Sequence, residues 1–315
     1  MPPVTVIIGG PTASGKSALA LALARALGGT VINADSMQVY RELPVLTAQP
    51  SASDRAAAPH RLYGFLSVTE RCSAARWATL ARTEIDTARD ERRLPIVVGG
   101  TGLYLRALTE GLAPVPGIPV DVRQAARQRL AEIGKAAFHA DLGRRDPQMA
   151  ARIRPTDPQR MVRAWEVVET TGRSLADWQR QANDSRTGPT DRFVTLLLLP
   201  ERRQLYAACD ARLQAMIRRG ALDEARAVAV YADSPGLPGL KALGLRELIA
   251  HVRGRMSLDA AIAAGQQATR RYAKRQVTWF RHQLPEARQI VADLPSGQFS
   301  ERFIVDTCNF IRNSC

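Results

Sequence analysis

The chain has 315 residues, 45% of them hydrophobic, which provides for a sizeable core and about two domain-sized units of roughly 150 residues each. No apolar run reaches the ~18 residues of a membrane span, the N-terminus has no basic leader, and Cys72, Cys209, Cys308 and Cys315 form neither a CxxC pair nor a zinc spacing with histidine. These features predict a reduced, cytoplasmic protein with no membrane association, while a net charge of +14 favours a polyanionic partner such as nucleic acid, even though 40 of the 44 basic residues are Arg, a bias codon usage alone can produce.

In chain order, residues 4–8 are an apolar run without alternation, the pattern of a parallel strand covered on both faces. A helix over 17–27 follows and stops at Gly28-Gly29. Residues 31–34 read as a second strand, 74–89 as a helix and 94–98 as a third strand. Pro114-Val115-Pro116-Gly117-Ile118-Pro119 is a stiff break, after which 120–181 is helical throughout. A second break over 183–189 precedes a fourth strand at 193–199. Leu205, Cys209, Leu213, Met216 and Ile217 then share one helical face that ends at Gly220, and a long helix runs over 258–282. The tail beyond Pro295 is weakly patterned and is expected to be loosely ordered. The alternation of strand and helix predicts an α/β fold, a parallel sheet covered by helices. Residues 1–117 and 191–295 form the core, 118–190 an inserted small all-helical domain with hinge-like junctions, and 296–315 the tail.

Gly10-Pro11-Thr12-Ala13-Ser14-Gly15-Lys16-Ser17 has the spacing G-x4-G-K-S between a strand and a helix, the context that makes a P-loop specific. Its glycines let backbone N–H groups turn towards an anion, and the helix N-terminus adds partial positive charge. Lys16 offers a point charge to phosphate oxygens, and Ser17 can place its hydroxyl on Mg²⁺. The motif fixes a P-loop NTPase-like core but not the ligand: ATP, a nucleoside monophosphate kinase pair or another diphosphate all fit. Asp35 stands at the C-terminal end of the second strand, where open α/β sheets bind ligands, and is the candidate for the second acidic residue that holds Mg²⁺ through water in phosphoryl-transfer P-loop enzymes. Gly99-Gly100-Thr101-Gly102 ends the third strand, and its glycines suit close backbone approach, with Thr101 able to hydrogen-bond a phosphate or a reacting group.

Five ordered segments resemble the bacterial tRNA dimethylallyltransferase family, over nearly the whole chain to about Arg281. They are the P-loop; Asn33-Ala34-Asp35-Ser36-Met37-Gln38-Val39-Tyr40 with Thr47-Ala48-Gln49-Pro50; Val98-Gly99-Gly100-Thr101-Gly102-Leu103-Tyr104; Asp157-Pro158-Gln159-Arg160-Met161-Val162-Arg163-Ala164-Trp165-Glu166-Val167; and Ala273-Lys274-Arg275-Gln276-Val277-Thr278-Trp279. The resemblance implies transfer of a dimethylallyl group from dimethylallyl diphosphate to N6 of adenosine 37 in the tRNA anticodon loop, with Mg²⁺, by a monomer. The P-loop then holds the donor's pyrophosphate rather than ATP. Asp35 is implied as general base, Thr101 as the group orienting the bridging oxygen or the amine, and Arg123 as a contact of the reacting region. Asp35, Ser36, Met37 and Gln38 are implied to hold the flipped adenine, the Gln38 amide being suited to a bidentate contact. Further tRNA contacts are implied at Gln159, Arg160, Met161, Val162 and Arg163, at Lys241, Gly244 and Arg246, and at Arg271, Lys274, Arg275, Gln276 and Trp279.

Charge agrees with an RNA partner. Residues 144–163 contain six Arg and two Asp, and residues 261–285 contain Arg270, Arg271, Lys274, Arg275 and Arg281 with no acid. Arg41-Glu42-Leu43-Pro44-Val45-Leu46 departs from the Gly-containing turn common in the family, and the tail 299–315 has no counterpart there. Three alternatives remain at this stage: an adenylate isopentenyltransferase acting on free nucleotide, a small-molecule P-loop kinase, and a non-catalytic RNA-binding protein with a vestigial P-loop.

Overall fold

A computed structural model describes residues 4–184, 192–234, 236–284, 287–290 and 299–314. Most of the break at 183–189, and the junctions expected at 190/191 and 295/296, lie outside the described residues. The strands are β1 (Val4–Gly9), β2 (Gly29–Asn33), β3 (His60–Arg61), β4 (Leu94–Gly99), β5 (Arg192–Leu198) and β6 (Arg288–Ile290). They form one parallel sheet in the order β3-β2-β4-β1-β5-β6. β1 is central, with Val6 beside Ile96 on one side and Val194 on the other.

All six residues of β1 are buried, because successive side chains point to opposite faces and both faces are covered. Val6 and Ile8 pack with Leu19 and Leu23 of α1 (Lys16–Leu27), whereas Ile7 packs with Trp77, Tyr104 and Phe280 on the other side. Each such fully buried aliphatic side chain contributes about 1.5–3 kcal/mol, which makes the centre of the sheet a rigid base for the loops leaving it. After α1 come α2 (Ala52–Ala57), α3 (Ala74–Asp90) and α4 (Gly102–Thr109). The Trp77 indole N–H donates to Asn33 O at 2.8 Å while its ring stacks on Tyr104 at 4.5 Å, so α3 and α4 together pin the end of β2.

Two compact units result, residues 1–109 with 190–315, and residues 110–189. The second contains α5 (Val120–Arg145), α6 (Pro147–Arg152), α7 (Pro158–Thr171) and α8 (Leu175–Asp184). Its core is built from Ala126, Phe138, Leu142, Met161, Ala164 and Trp165. Gly134, at φ 75° and ψ 172°, kinks α5. Asp141 is buried against Arg129 at 2.8 Å and Arg144 at 2.9 Å, and the Arg129 hydrogen bond is the main cause that lowers its carboxyl pKa.

The first unit continues through α9 (Arg202–Arg218), α10 (Ala221–Val228), α11 (Leu245–Val252), α12 (Leu258–Gln283) and α13 (Glu301–Asn313). α13 corrects the expectation of a loose tail. Ser300 caps it by accepting from Phe303 N–H at 3.2 Å, and Cys308 and Ile311 are buried in the same core as α1 and β1. β3 and β6 were likewise not foreseen; two and three residues are too short to show a period. The divergent segment 41–46 is also well held, since the Glu224 carboxylate of α10 accepts from Val45 N–H at 2.6 Å and Leu46 N–H at 2.8 Å. Among the described residues no helix is long and apolar enough to cross a membrane.

Candidate active site

Three loops leave the C-terminal ends of β1, β2 and β4 side by side. The P-loop follows β1. Ala13 (φ 62°) and Gly15 (φ 84°) take the left-handed conformation, the backbone alternation that gathers peptide N–H groups into an anion-binding nest; at Gly15 it carries no Cβ penalty. Lys16 opens α1, is 8% exposed, and donates from Nζ to Pro11 O at 3.1 Å, folded back onto the loop. Ser14 Oγ lies buried beneath the loop with no hydrogen-bond partner. Cys209 of α9 touches the loop, Sγ to Thr12 O at 4.0 Å; burial pushes its thiol up to about 11, so it stays protonated and inert.

Asp35 follows β2 and is clamped by Asn33. The Asn33 side chain accepts from Asp35 N–H at 2.8 Å and donates to Asp35 O and to Leu62 O, each at 3.0 Å. Asp35 Oδ1 in turn accepts from Met37 N–H at 2.9 Å. Thr101 lies across from it after β4: its hydroxyl accepts from Ser36 N–H at 2.9 Å and donates to Ser36 Oγ at 3.2 Å. Asp35 and Thr101 therefore belong to one hydrogen-bonded constellation.

Two cations share the field of Asp35. Burial lowers the Lys16 pKa to about 8; Asp35 opposes this, and Arg212 of α9 adds to it by repulsion. Arg212 is half-buried and its guanidinium is lowered by burial, again opposed by Asp35. Arg212 and Asn33 are site residues that sequence reasoning did not single out. Arg212 gave no signal, being one Arg among 40 on an amphipathic helix, whereas Asn33 stood two residues before Asp35 inside a motif already recognised. Tyr272 of α12 was seen only as aromatic surface; its phenol is raised by burial first and by Asp35 next, and lies in hydrogen-bonding reach of Thr101.

Ser17 is exposed on the first turn of α1 and faces a cavity of about 240 Å³, enough for several waters at roughly 30 Å³ each. Among the described residues no group of three or more His, Cys, Asp or Glu could hold a metal ion. Ser17 can offer a divalent cation its hydroxyl, and the Asp35 carboxylate stands after β2 at the same end of the sheet. That suits Mg²⁺, which keeps several waters and takes most of its other ligands from substrate phosphates.

Several residues expected to touch RNA have other work. Gln38 is buried, and its Nε2 donates to Thr47 O and Ala48 O, both at 2.9 Å; both amide hydrogens are committed, so a bidentate base contact is ruled out in this arrangement. Gln276 is buried, its amide bound to Thr12 N–H and Gly100 O. Met161 is fully buried in the core of the helical unit, and Val162 packs against that core. Gly244, at φ 80°, is buried where it starts α11, Trp279 is half-buried, and Met37 packs on the core beneath α10 and α11. Arg270 pairs with Asp210 at 2.5 Å. In the helical unit Arg144 and Arg145 pair with Asp141, and Arg145 also with Glu169; Arg160 pairs with Asp157, and Arg163 with Glu166. Gln159 and Arg160 are exposed there, and Arg123 lies on the first turn of α5. In the first unit Lys241, Arg246, Arg271, Lys274 and Arg275 are exposed.

A phosphate loop, a clamped aspartate and a hydroxyl-bearing glycine turn at adjacent strand ends are the arrangement of a P-loop α/β transferase. The chain belongs to the IPP transferase family, whose model matches residues 38–283; a second model, isopentenyl transferase, matches residues 3–66. It is 56% identical over 284 residues to a tRNA dimethylallyltransferase of Rhodospirillum centenum, covering 90% of each chain. It is 51% identical over 306 residues to that of Rhodospirillum rubrum, covering 97% of this chain and 93% of the other. Among solved structures it is similar to the tRNA isopentenylpyrophosphate transferase of Bacillus halodurans, with a TM-score of 0.69, 31% identity, and coverage of 100% and 97%. It also resembles a eukaryotic dimethylallyltransferase acting on tRNA, with a TM-score of 0.81, 26% identity, and coverage of 99% and 80%.

Proposed function

We propose that this chain, a transferase that prenylates tRNA, takes the dimethylallyl group from dimethylallyl diphosphate and places it on N6 of adenosine 37 in the anticodon loop, releasing pyrophosphate. The observation that carries this reading is the placement of Asp35: clamped by Asn33, linked to Thr101 through Ser36, and sharing its field with Lys16 and Arg212.

The donor's diphosphate occupies the P-loop nest, with Lys16 swung from Pro11 O onto its oxygens and Arg212 as second cation. As the allylic C1–O bond breaks, its electron pair leaves with pyrophosphate, and preorganised cations and amides matter most where that charge develops. N6 forms the new bond to C1 and gives its proton to the Asp35 carboxylate, a general-base role typically worth about 10²–10⁴-fold. Thr101, already a donor and acceptor within this constellation, orients the amine or the bridging oxygen. Mg²⁺, held by Ser17 and diphosphate oxygens, would supply further neutralisation of the leaving group. The exposed cations Arg271, Lys274 and Arg275 on α12 are suited to phosphates of the RNA, and Arg123 with Gln159 and Arg160 extends the reading to the helical unit.

The test is incubation with dimethylallyl diphosphate, Mg²⁺ and an anticodon stem-loop bearing A37. A prenyl mass gain on that adenosine is expected. Transfer to AMP but not to the stem-loop, or phosphate transfer from ATP with no prenylation, would overturn the reading.

A further inference from the structure

Tyr272, Gln276 and Trp279 follow one another at spacings of four and three on one face of α12, and each meets a different residue of the turn after β4. The half-buried Tyr272 phenol lies near the Thr101 side chain, which acts on its pKa. Gln276 Nε2 donates to Gly100 O at 2.8 Å. The Trp279 indole covers Gly102 so closely that a Cβ there would lie 2.5 Å from the ring. A Cβ on Gly100 would lie 2.2 Å from Gln276 Nε2. Gly100 and Gly102 thus lack side chains where α12 docks.

Gln276 alone of the three also reaches the P-loop, its Oε1 accepting from Thr12 N–H at 2.8 Å. Thr12 directly precedes the left-handed Ala13, so holding the Thr12 peptide fixes the orientation of the amides that follow. A neutral primary amide presents an acceptor and donors from one plane. Here the acceptor faces an N–H and a donor faces a carbonyl, from a side chain only 5% exposed.

We infer that Gln276 is a positioning residue for the transfer reaction: its amide sets the separation between the diphosphate cradle and the Thr101 turn, and does not contact RNA. One helix then carries two separate duties, with the cations Arg271, Lys274 and Arg275 outside and this clamp inside. The inference rests on the diphosphate reading of the P-loop given above.

The test uses full-length wild type, Gln276→Leu and Gln276→Glu, with inorganic pyrophosphate as the calorimetric probe, tRNA affinity across a salt series, and steady-state kinetics. Gln276→Leu should weaken pyrophosphate at least about tenfold and lower kcat by about 10- to 100-fold, the scale of a small misplacement of reacting groups. Its tRNA affinity should stay within about twofold, with an unchanged salt slope. In Gln276→Glu only the protonated acid can donate to Gly100 O, and burial raises a carboxyl pKa; its activity relative to wild type should therefore rise as the pH falls from about 8 to about 6. That ratio serves as the readout if Gln276→Leu does not fold. A Gln276→Leu protein that loses tRNA affinity but keeps pyrophosphate binding and kcat, or a pH-independent ratio in Gln276→Glu, would overturn the assignment. If wild type binds no pyrophosphate, the diphosphate reading itself fails; if wild type binds it and Gln276→Leu binds equally well, only the Gln276 assignment fails.

Discussion

Lys16 allows a quantitative prediction. Burial is the largest cause of its lowered pKa of about 8, Arg212 repels it, and Asp35 works the other way. A diphosphate binds the ammonium form, so binding favours protonation and draws a proton from solution wherever Lys16 is neutral. With a pKa near 8, Lys16 is roughly half protonated at pH 8 and about one-tenth protonated at pH 9. The dissociation constant for dimethylallyl diphosphate, whose last ionisation lies at about pH 6, should therefore be nearly level around pH 7 and rise towards about tenfold per pH unit above pH 8. Binding at pH 8 should take up roughly half a proton. Calorimetry between pH 7 and 9.5, in pairs of buffers with different ionisation enthalpies, measures both quantities. In Lys16→Arg the charge does not titrate, so the dependence should vanish even if affinity is lower. A level dissociation constant in wild type, or the same slope in Lys16→Arg, would refute this account of the cradle.

Asp35→Asn keeps the size and the bond to Met37 N–H but removes the base, so single-turnover prenylation of the stem-loop should slow by about 10²–10⁴-fold, with pyrophosphate affinity kept within a fewfold; an unchanged rate would remove Asp35 from proton transfer. Arg271→Ala or Arg275→Ala should reduce the salt slope of tRNA binding by roughly 0.7–0.9 for each phosphate the variant no longer neutralises. Arg270→Ala, which only frees Asp210, should leave that slope unchanged, and the reverse pattern would put the wrong side of α12 on the RNA. Ile311→Ala should cost about 2–4 kcal/mol in urea unfolding, because α13 is part of the sheet's core; a value near zero would mean that α13 is dispensable.

The sheet was legible because it is covered on both faces: β1, β2, β4 and β5 appear as short, largely apolar runs without strict alternation, and the P-loop is confirmed by the strand and helix on either side of it. α13 left a readable trace in Ser300, Phe303, Thr307 and Ile311, at a cap and successive helical spacings, but its buried residues are Thr307, Cys308 and Ile311 rather than a continuous apolar stripe. The site was half legible. Asp35 and Thr101 sit at strand ends, where ligands gather, and could be named in advance. Gln276 could not be placed, since its partners Thr12 and Gly100 lie 264 and 176 residues away; within its own helix it is one polar residue beside three cations. Arg270 is a related case: its charge is visible in the sequence, but the distant Asp210 with which it pairs is not.

The clamp on Gly100 and Thr12 also orders events during synthesis. Domains form as the chain emerges from its N-terminus, and the P-loop is among the first segments made. Thr12 N–H and Gly100 O have their Gln276 partner only once residue 276 is made, and β1 lacks its neighbour β5 until residue 198. A chain that ends before residue 276 therefore carries the whole phosphate motif without the side chain that ties Thr12 N–H to Gly100 O.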